Sequence, residues 1–339
     1  MSLKSILMNT SCIRSWVHLW RDTRESITRH LKPITKRDSR YGLTPIQRYP
    51  LGEDFHQVMI ETASVTLAGT SFDKETPVAA IGSCFAEEVS RVLRENAFNF
   101  LIEEKNLWNF SAAWGRVFTV PNFCQIVDYS LNPNLPIVVG KSSHGYFDAT
   151  RDSEAFFKTV AEAEKAISAH REKSLLVFQN AKVLFFTLGQ NEAWIDQQNN
   201  VVWGKMPPAE YLEEDKERFR VERFSIEKNK QLLSAAIDQL FQLNPELRIV
   251  LTISPVSSSA AFLSDEVIAS SFANKCTLRV VADEIVLAYK GRVGYFPSFE
   301  MVLAYNPSTL KADNRHVKYG TVNRIFDTLQ QASKKPVKN

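Results

Sequence analysis

Residues 77–93 read Pro77-Val-Ala-Ala-Ile-Gly-Ser-Cys-Phe-Ala-Glu-Glu-Val-Ser-Arg-Val-Leu93. A short apolar run stops at Gly82, and from Phe85 the apolar positions Phe85, Val89 and Val92 recur three and four apart. That change of period predicts a strand, a turn at Gly82-Ser83-Cys84 and a helix. Ligands of open α/β sheets gather beyond the carboxyl ends of the strands, which is where this turn falls.

Downstream, the same unit repeats. Ala181–Leu188 is an apolar run that enters Gly189-Gln-Asn-Glu192, Arg248–Ile253 enters Ser254-Pro-Val256, and Val293–Phe296 is a last short strand. Long Pro-free stretches with apolar positions three and four apart predict helices at 152–172, 225–243 and 265–290, and a closing helix at Val322–Leu329. Strands separated by such helices imply an α/β fold whose open, mostly parallel sheet is covered by helices on both faces. The polar, aromatic-rich segment 193–224 has little periodicity and reads as an insertion or long loop near the carboxyl edge of the sheet, either a lid over a substrate or surface decoration.

Upstream the composition shifts. Residues 1–50 hold ten Lys/Arg against three Asp/Glu, a local +7 in a chain of net charge +3, so the remainder is about −4. Ile13, Trp16, Val17, Trp20, Ile27 and Leu31 fall near one face of a helix, and 33–55 reads as an extended connector. The chain divides on this reading into a basic arm (1–55), an α/β domain (56–330) and a flexible basic tail (331–339). The arm's apolar stripe suits packing on the main domain or on a second copy, a route to a homo-oligomer. No zinc-finger spacing or RNA-binding aromatic signature supports a nucleic-acid partner. No run of 18 or more apolar residues supports a transmembrane segment, and no export signal is evident. Four cysteines, at 12, 84, 124 and 276, are too sparse for a disulfide scaffold, so a reducing, cytoplasmic setting is expected.

Candidate chemistry begins at the Gly82-Ser83-Cys84 turn. The start of a helix aims unpaired backbone N–H groups at whatever precedes it, the setting of a nucleophilic thiolate, so Cys84 is a candidate nucleophile and Ser83 the alternative in the same turn. Asp313-Asn-Arg-His316 supplies an Asp three residues before a His, able to orient one ring nitrogen while the other takes a proton. Asn191 could donate to an oxyanion. Glu192 could bind a substrate hydroxyl, hold neighbouring backbone or act as an acid; alternatively it caps the next element. The six histidines contain no pair at metal-ligand spacing, and Gly82 belongs to no nucleotide-binding glycine pattern, so neither metal nor cofactor is expected.

These residues resemble the GSCFA family, named for the pentapeptide present as Gly82-Ser83-Cys84-Phe85-Ala86. The likeness extends through AAWGRVFT at 112–119, LFFTLGQNEAW at 184–194, LTISPV at 251–256, ANKCTLRVVADE at 273–284 and GYFPSFEMV at 294–302. That family is similar to the SGNH/GDSL hydrolases, esterases and acyl-transfer enzymes on a flavodoxin-like sheet. The resemblance implies Cys84 as nucleophile, Ser83 beside it, Asp313 and His316 as its activating pair, and Gly115, Asn191 and Glu192 in the oxyanion and substrate region. It implies an acyl-ester hydrolase or O-acyltransferase, taking an ester or acyl donor and a hydroxyl acceptor such as a carbohydrate. A carbohydrate- or protein-binding module on the same fold is the alternative.

Overall fold

The computed structural model describes residues 55–333, except 68, 108, 153, 216 and 305–308, together with Gln47 and Tyr49. The expectations for residues 1–54 and 334–339 lie outside the described residues. The chain divides into two units at Val58/Met59, and the sheets, cavities and site residues described below belong to the second.

The organising element is a four-stranded parallel sheet of β1 (Val78–Gly82), β4 (Val183–Leu188), β8 (Arg248–Ile253) and β9 (Val293–Tyr295), in the order β1-β4-β8-β9. Every residue of β1, β4 and β9, and all of β8 but Arg248, is buried, as a sheet covered on both faces requires. Phe100 makes one further parallel bridge to Val78 on the outer edge of β1. Helix α2 (Cys84–Glu95) follows β1 directly, as the sequence predicts, and helices α6 (Ile226–Leu243) and α7 (Ile268–Ala288) match the expected 225–243 and 265–290 closely. α6 opens at Ser225, whose hydroxyl accepts from Lys228 N.

Two expectations are corrected. The helix expected at 152–172 is α4, Val160–Asn180, displaced toward the C-terminus. Residues before it are committed elsewhere: Asp152 is a buried ion-pair partner, Phe157 bridges Tyr146, and Thr159 caps the helix by accepting from Glu162 N. The expected loop at 193–224 is instead an antiparallel sheet of β5 (Glu192–Asp196), β6 (Val201–Val202) and β7 (Phe219–Arg223), carrying the short helix α5 (Ala209–Glu214). Trp203, Phe219 and Val201 pack there against Val138, Phe147 and Ala149 of the hairpin region formed by β2 (Val139–Ser142) and β3 (Gly145–Asp148). Buried Asp196 holds the turn by accepting from Arg218, Asn199 and Trp203.

The sequence reading has no counterpart for α1 (Phe55–Thr66), α3 (Val120–Leu131), the β2–β3 hairpin or the short helix after β9. After β9 come α8 (Ser298–Ala304) and α9 (Tyr319–Ser333), the latter longer at both ends than expected. Among the described residues, no helix is long and apolar enough to cross a membrane.

Candidate functional site

At the carboxyl end of β1 the chain must turn without a side chain. Gly82 has φ +143°, and a Cβ there would lie 2.5 Å from Thr187 O on β4. Ser83 follows as the N-cap of α2 but makes no capping bond; its hydroxyl is buried and has no hydrogen-bond partner. Its Cβ sits against Gly189, where an added Cβ would be 2.6 Å away. Cys84, the first residue of α2, is half-buried. It contrasts with Cys124, which lies in the core, its thiol pushed up by burial and its Sγ donating to Leu232 O.

Segment 116–118 straps the ends of β1 and β4. Val117 N donates to Gly82 O, and Phe118 O accepts from both Gly189 N and Gln190 N. This brings Arg116 to the Ser83-Cys84 turn: Nη1 stands 4.0 Å from Cys84 Sγ while Nε pairs with buried Asp152 at 2.8 Å. The strap depends on Gly115, whose φ is +68° and whose missing Cβ leaves room for Asp152 O, 2.0 Å from where that atom would be. Gly115 lines a neighbouring cavity beside Asp152, and Arg116 and Phe118 take their places on the wall around Cys84.

From the far end of the chain, the loop before α9 delivers the imidazole. Asp313 Oδ1 accepts from Arg315 N and His316 N, both at 3.0 Å, and Oδ2 pairs with His316 Nδ1. The bond from His316, then those two backbone N–H groups, hold the Asp313 carboxyl well below the ordinary carboxylate range. With Nδ1 engaged, Nε2 is the ring nitrogen left for chemistry. His316, Cys84, Ser83 and Gly189 line one cavity of about 200 Å³ at the carboxyl ends of β1, β4 and β8.

That cavity has lining residues the sequence reading missed: Arg116, Lys275, Arg315, Gln190 and Ser254 among them, and no Asp or Glu. Lys275 is 3% exposed on the inner face of α7, and its Nζ donates to Gly189 O at 2.5 Å. Burial pulls its amine down to about 7, with Cys84 opposing and Arg315 reinforcing the change. Arg315 donates through Nε and Nη2 to Ser257 O. Glu87, on the first turn of α2, is pushed up by burial and by Glu88, against the pull of Arg116 and His316. A cation on an otherwise core-facing helical stripe was the available signal for Lys275: Ser271, Lys275, Leu278, Ala282 and Ile285 are all buried on α7.

Two expected site residues do other work. Asn191 donates through Nδ2 to Phe224 O at 2.7 Å and accepts from Asn229 Nδ2 at 2.8 Å, joining β5 to the start of α6; Gln190 stands on the cavity wall in its place. Buried Glu192 pairs with Arg223 and accepts from Phe262 N at 2.9 Å, so of its readings the structure has the one that holds backbone. Burial is the largest influence and opposes the Glu192 charge, but the bonds from Arg223 and Phe262 N, with the Arg223 charge, together hold the carboxyl below its ordinary value. Among the described residues no group of three or more His, Cys, Asp and Glu could hold a metal ion.

Compared with known proteins, residues 77–329 match the model of a family described as the GSCFA family. No curated protein matches the chain. Among solved structures, a family 3 carbohydrate esterase of Clostridium thermocellum is similar at 11% identity and a TM-score of 0.30, over 76% of this chain and 94% of that one.

Proposed function

The chain belongs to the GSCFA family, and from that membership and the residues gathered around Cys84 we propose that it is an acyl-transfer enzyme, an ester hydrolase or O-acyltransferase, with Cys84 as nucleophile. One observation carries this reading: a half-buried thiol at a helix N-terminus shares a cavity with an imidazole whose other nitrogen is tied to a carboxylate. The parallel sheet supports an SGNH-like, flavodoxin-like assignment. If the Phe100 bridge is taken as a rudimentary second strand, the order reads 2-1-3-4-5, with the cavity at its switch point.

In this scheme His316 Nε2 takes the thiol proton and Asp313 steadies the ring. The C–S bond forms as the carbonyl electron pair moves onto oxygen. Collapse of the oxyanion breaks the C–O ester bond, and the departing alkoxide takes the proton from the imidazolium, leaving a thioester on Cys84. Water or a hydroxyl acceptor attacks that thioester, its proton passes to His316, and the C–S bond breaks to restore the thiol. Arg116 and Lys275 supply positive charge where the oxyanion forms, a role in which one lost donor costs about 3 kcal/mol, roughly a hundredfold in rate. Ser83, buried with no hydrogen-bond partner, has no base to activate it.

The test is intact-protein mass spectrometry after exposure to activated esters. An acyl adduct is expected on wild type and on Ser83→Ala but not on Cys84→Ala. No adduct on any folded variant would favour a binding module instead, and loss in Ser83→Ala alone would move the nucleophile by one residue.

A further inference from the structure

A second cavity, of about 560 Å³, opens beside the first between the N-terminal part of α7, helix α8 and Leu310. The two share Ser257, Ser259, Lys275 and Arg315 as a common wall. Their characters differ. The Cys84 cavity presents cations and hydroxyls, whereas the second is walled by Ile268, Phe272, Phe299, Val302, Leu303 and Leu310. Ile268, Phe272 and Leu303 are 76%, 46% and 53% exposed, an apolar surface facing water. Its volume is that of a small-molecule site, and both of its cations, Lys275 and Arg315, are among the residues it shares with the Cys84 cavity.

Building on the acyl-transfer reading above, we infer that this groove is the acyl-chain subsite, and that the substrate's acyl group is a hydrocarbon chain longer than acetyl. Continuity decides the occupant. An ester carbonyl held at Cys84 has two directions for its substituents, and the one that passes the Lys275–Arg315 wall leads into an apolar trough able to exclude water from methylenes. The cationic wall suits the carbonyl oxygen or, in a released product, the carboxylate. The bonds made and broken are those already given for Cys84, and the groove adds only binding. Each methylene buried along it raises kcat/KM by up to roughly fourfold.

The experiment measures kcat/KM on 4-nitrophenyl esters from acetate to dodecanoate, and dodecanoate binding by calorimetry to full-length Cys84→Ala. Wild type is expected to favour longer chains until the groove is filled. Leu303→Asp and Phe272→Asp, at side chains already half exposed, should lower the dodecanoate-to-acetate ratio at least tenfold and weaken dodecanoate binding likewise. Equal rates at every chain length, an unaltered ratio in both variants, or failure of dodecanoate to bind would overturn the assignment. So would a concentration-dependent dimer split by Leu303→Asp, which would give the groove to a second copy. The two readings fail separately. If dodecanoate binds and Leu303→Asp abolishes it while no ester acylates Cys84, the subsite stands without the thiol chemistry; rapid but length-blind acylation reverses that.

Discussion

Glu104–His170 and Asp313–His316 are both carboxylate–imidazole pairs, and the better connected one has the less room beside it. In the interior, His170 Nδ1 lies 2.6 Å from Glu104, its Nε2 lies 3.3 Å from Ser174 Oγ, and Ser174 accepts from Trp114 Nε1 at 2.7 Å. Acid, imidazole and hydroxyl stand in the order of a catalytic relay, yet the adjoining void is about 10 Å³, room for one water and no substrate. At the rim, Asp313–His316 is a local turn with side chains 44% and 38% exposed, and it opens onto a cavity of about 200 Å³ that holds Cys84. The comparison teaches that access, not the completeness of a hydrogen-bonded chain, separates a pair that a substrate can reach from one that is sealed in. Proton order in the interior relay is self-consistent: Trp114 donates to Ser174, Ser174 to a neutral His170, and His170 to Glu104. Burial, then Arg151, pulls the His170 imidazole below its ordinary value. Burial is the largest influence and opposes the Glu104 charge, but the bond and charge of His170, with the bond from Ala113 N, together hold that carboxyl low as well.

The largest expected effect breaks or keeps that distinction outright. His316→Ala should slow Cys84 acylation about 10²- to 10⁴-fold, while its urea stability stays within about 0.5 kcal/mol of wild type. Stopped-flow acylation and urea denaturation on the same preparation measure both. A variant as fast as wild type would strip the rim pair of its assigned role.

Next comes Lys275, where the Cys84 cavity should show a stability cost near neutral pH that the interior relay does not. The amine's folded value, about 7, lies below its ordinary 10.5, so between those values the unfolded chain binds more protons and wild-type stability rises with pH; it falls back as pH drops toward 7. Lys275→Met removes this titration. The variant should be more stable than wild type near pH 7 by several kcal/mol and close to it near pH 10, and its acylation should be slower. Parallel urea midpoints for the two proteins across that range would contradict the buried-amine account.

Ser174→Ala sharpens the comparison from the other side. It strands Trp114 Nε1 and His170 Nε2 in the core and should cost about 1–3 kcal/mol, with acylation per folded molecule unchanged. A tenfold loss of acylation at full stability would make the interior relay functional after all.

The smallest effect is in acid. Because the folded value of His170 is depressed, the unfolded chain takes the proton more readily, so this group's stabilising contribution is complete above the ordinary value of 6.5 and declines as pH falls below it. Urea midpoints from pH 7.5 down to 5.5 should decline more steeply for wild type than for His170→Gln. Coincident slopes would show that His170 is not the group titrating.

Much of this was legible in the sequence because it is local. Runs of buried residues in β1, β4 and β8, the helical spacing after Cys84, the helix from 225 to 243 and the Asp313–His316 turn each lie within one stretch of chain, and periodicity or spacing reveals them. Pairing across the chain could not be read that way. The strands of 192–223 are two to five residues long and acquire their meaning from Trp203 and Phe219 packing on the 138–149 region. Asn191 and Glu192 looked like site residues because their side chains can donate, accept or ionise, but their partners, Phe224, Asn229, Arg223 and Phe262, lie 31 to 70 residues away. Arg116 and Lys275 carried no motif of their own. The sequence by itself determined an α/β sheet, a glycine-bounded Ser83-Cys84 turn and a carboxylate-oriented imidazole, since backbone sterics and hydrogen bonds between near neighbours suffice for each. Only the tertiary structure decided which cations line the cavity, which histidine has access to it and where the apolar groove begins, because burial and charge environment are set by residues that meet only when the chain has folded.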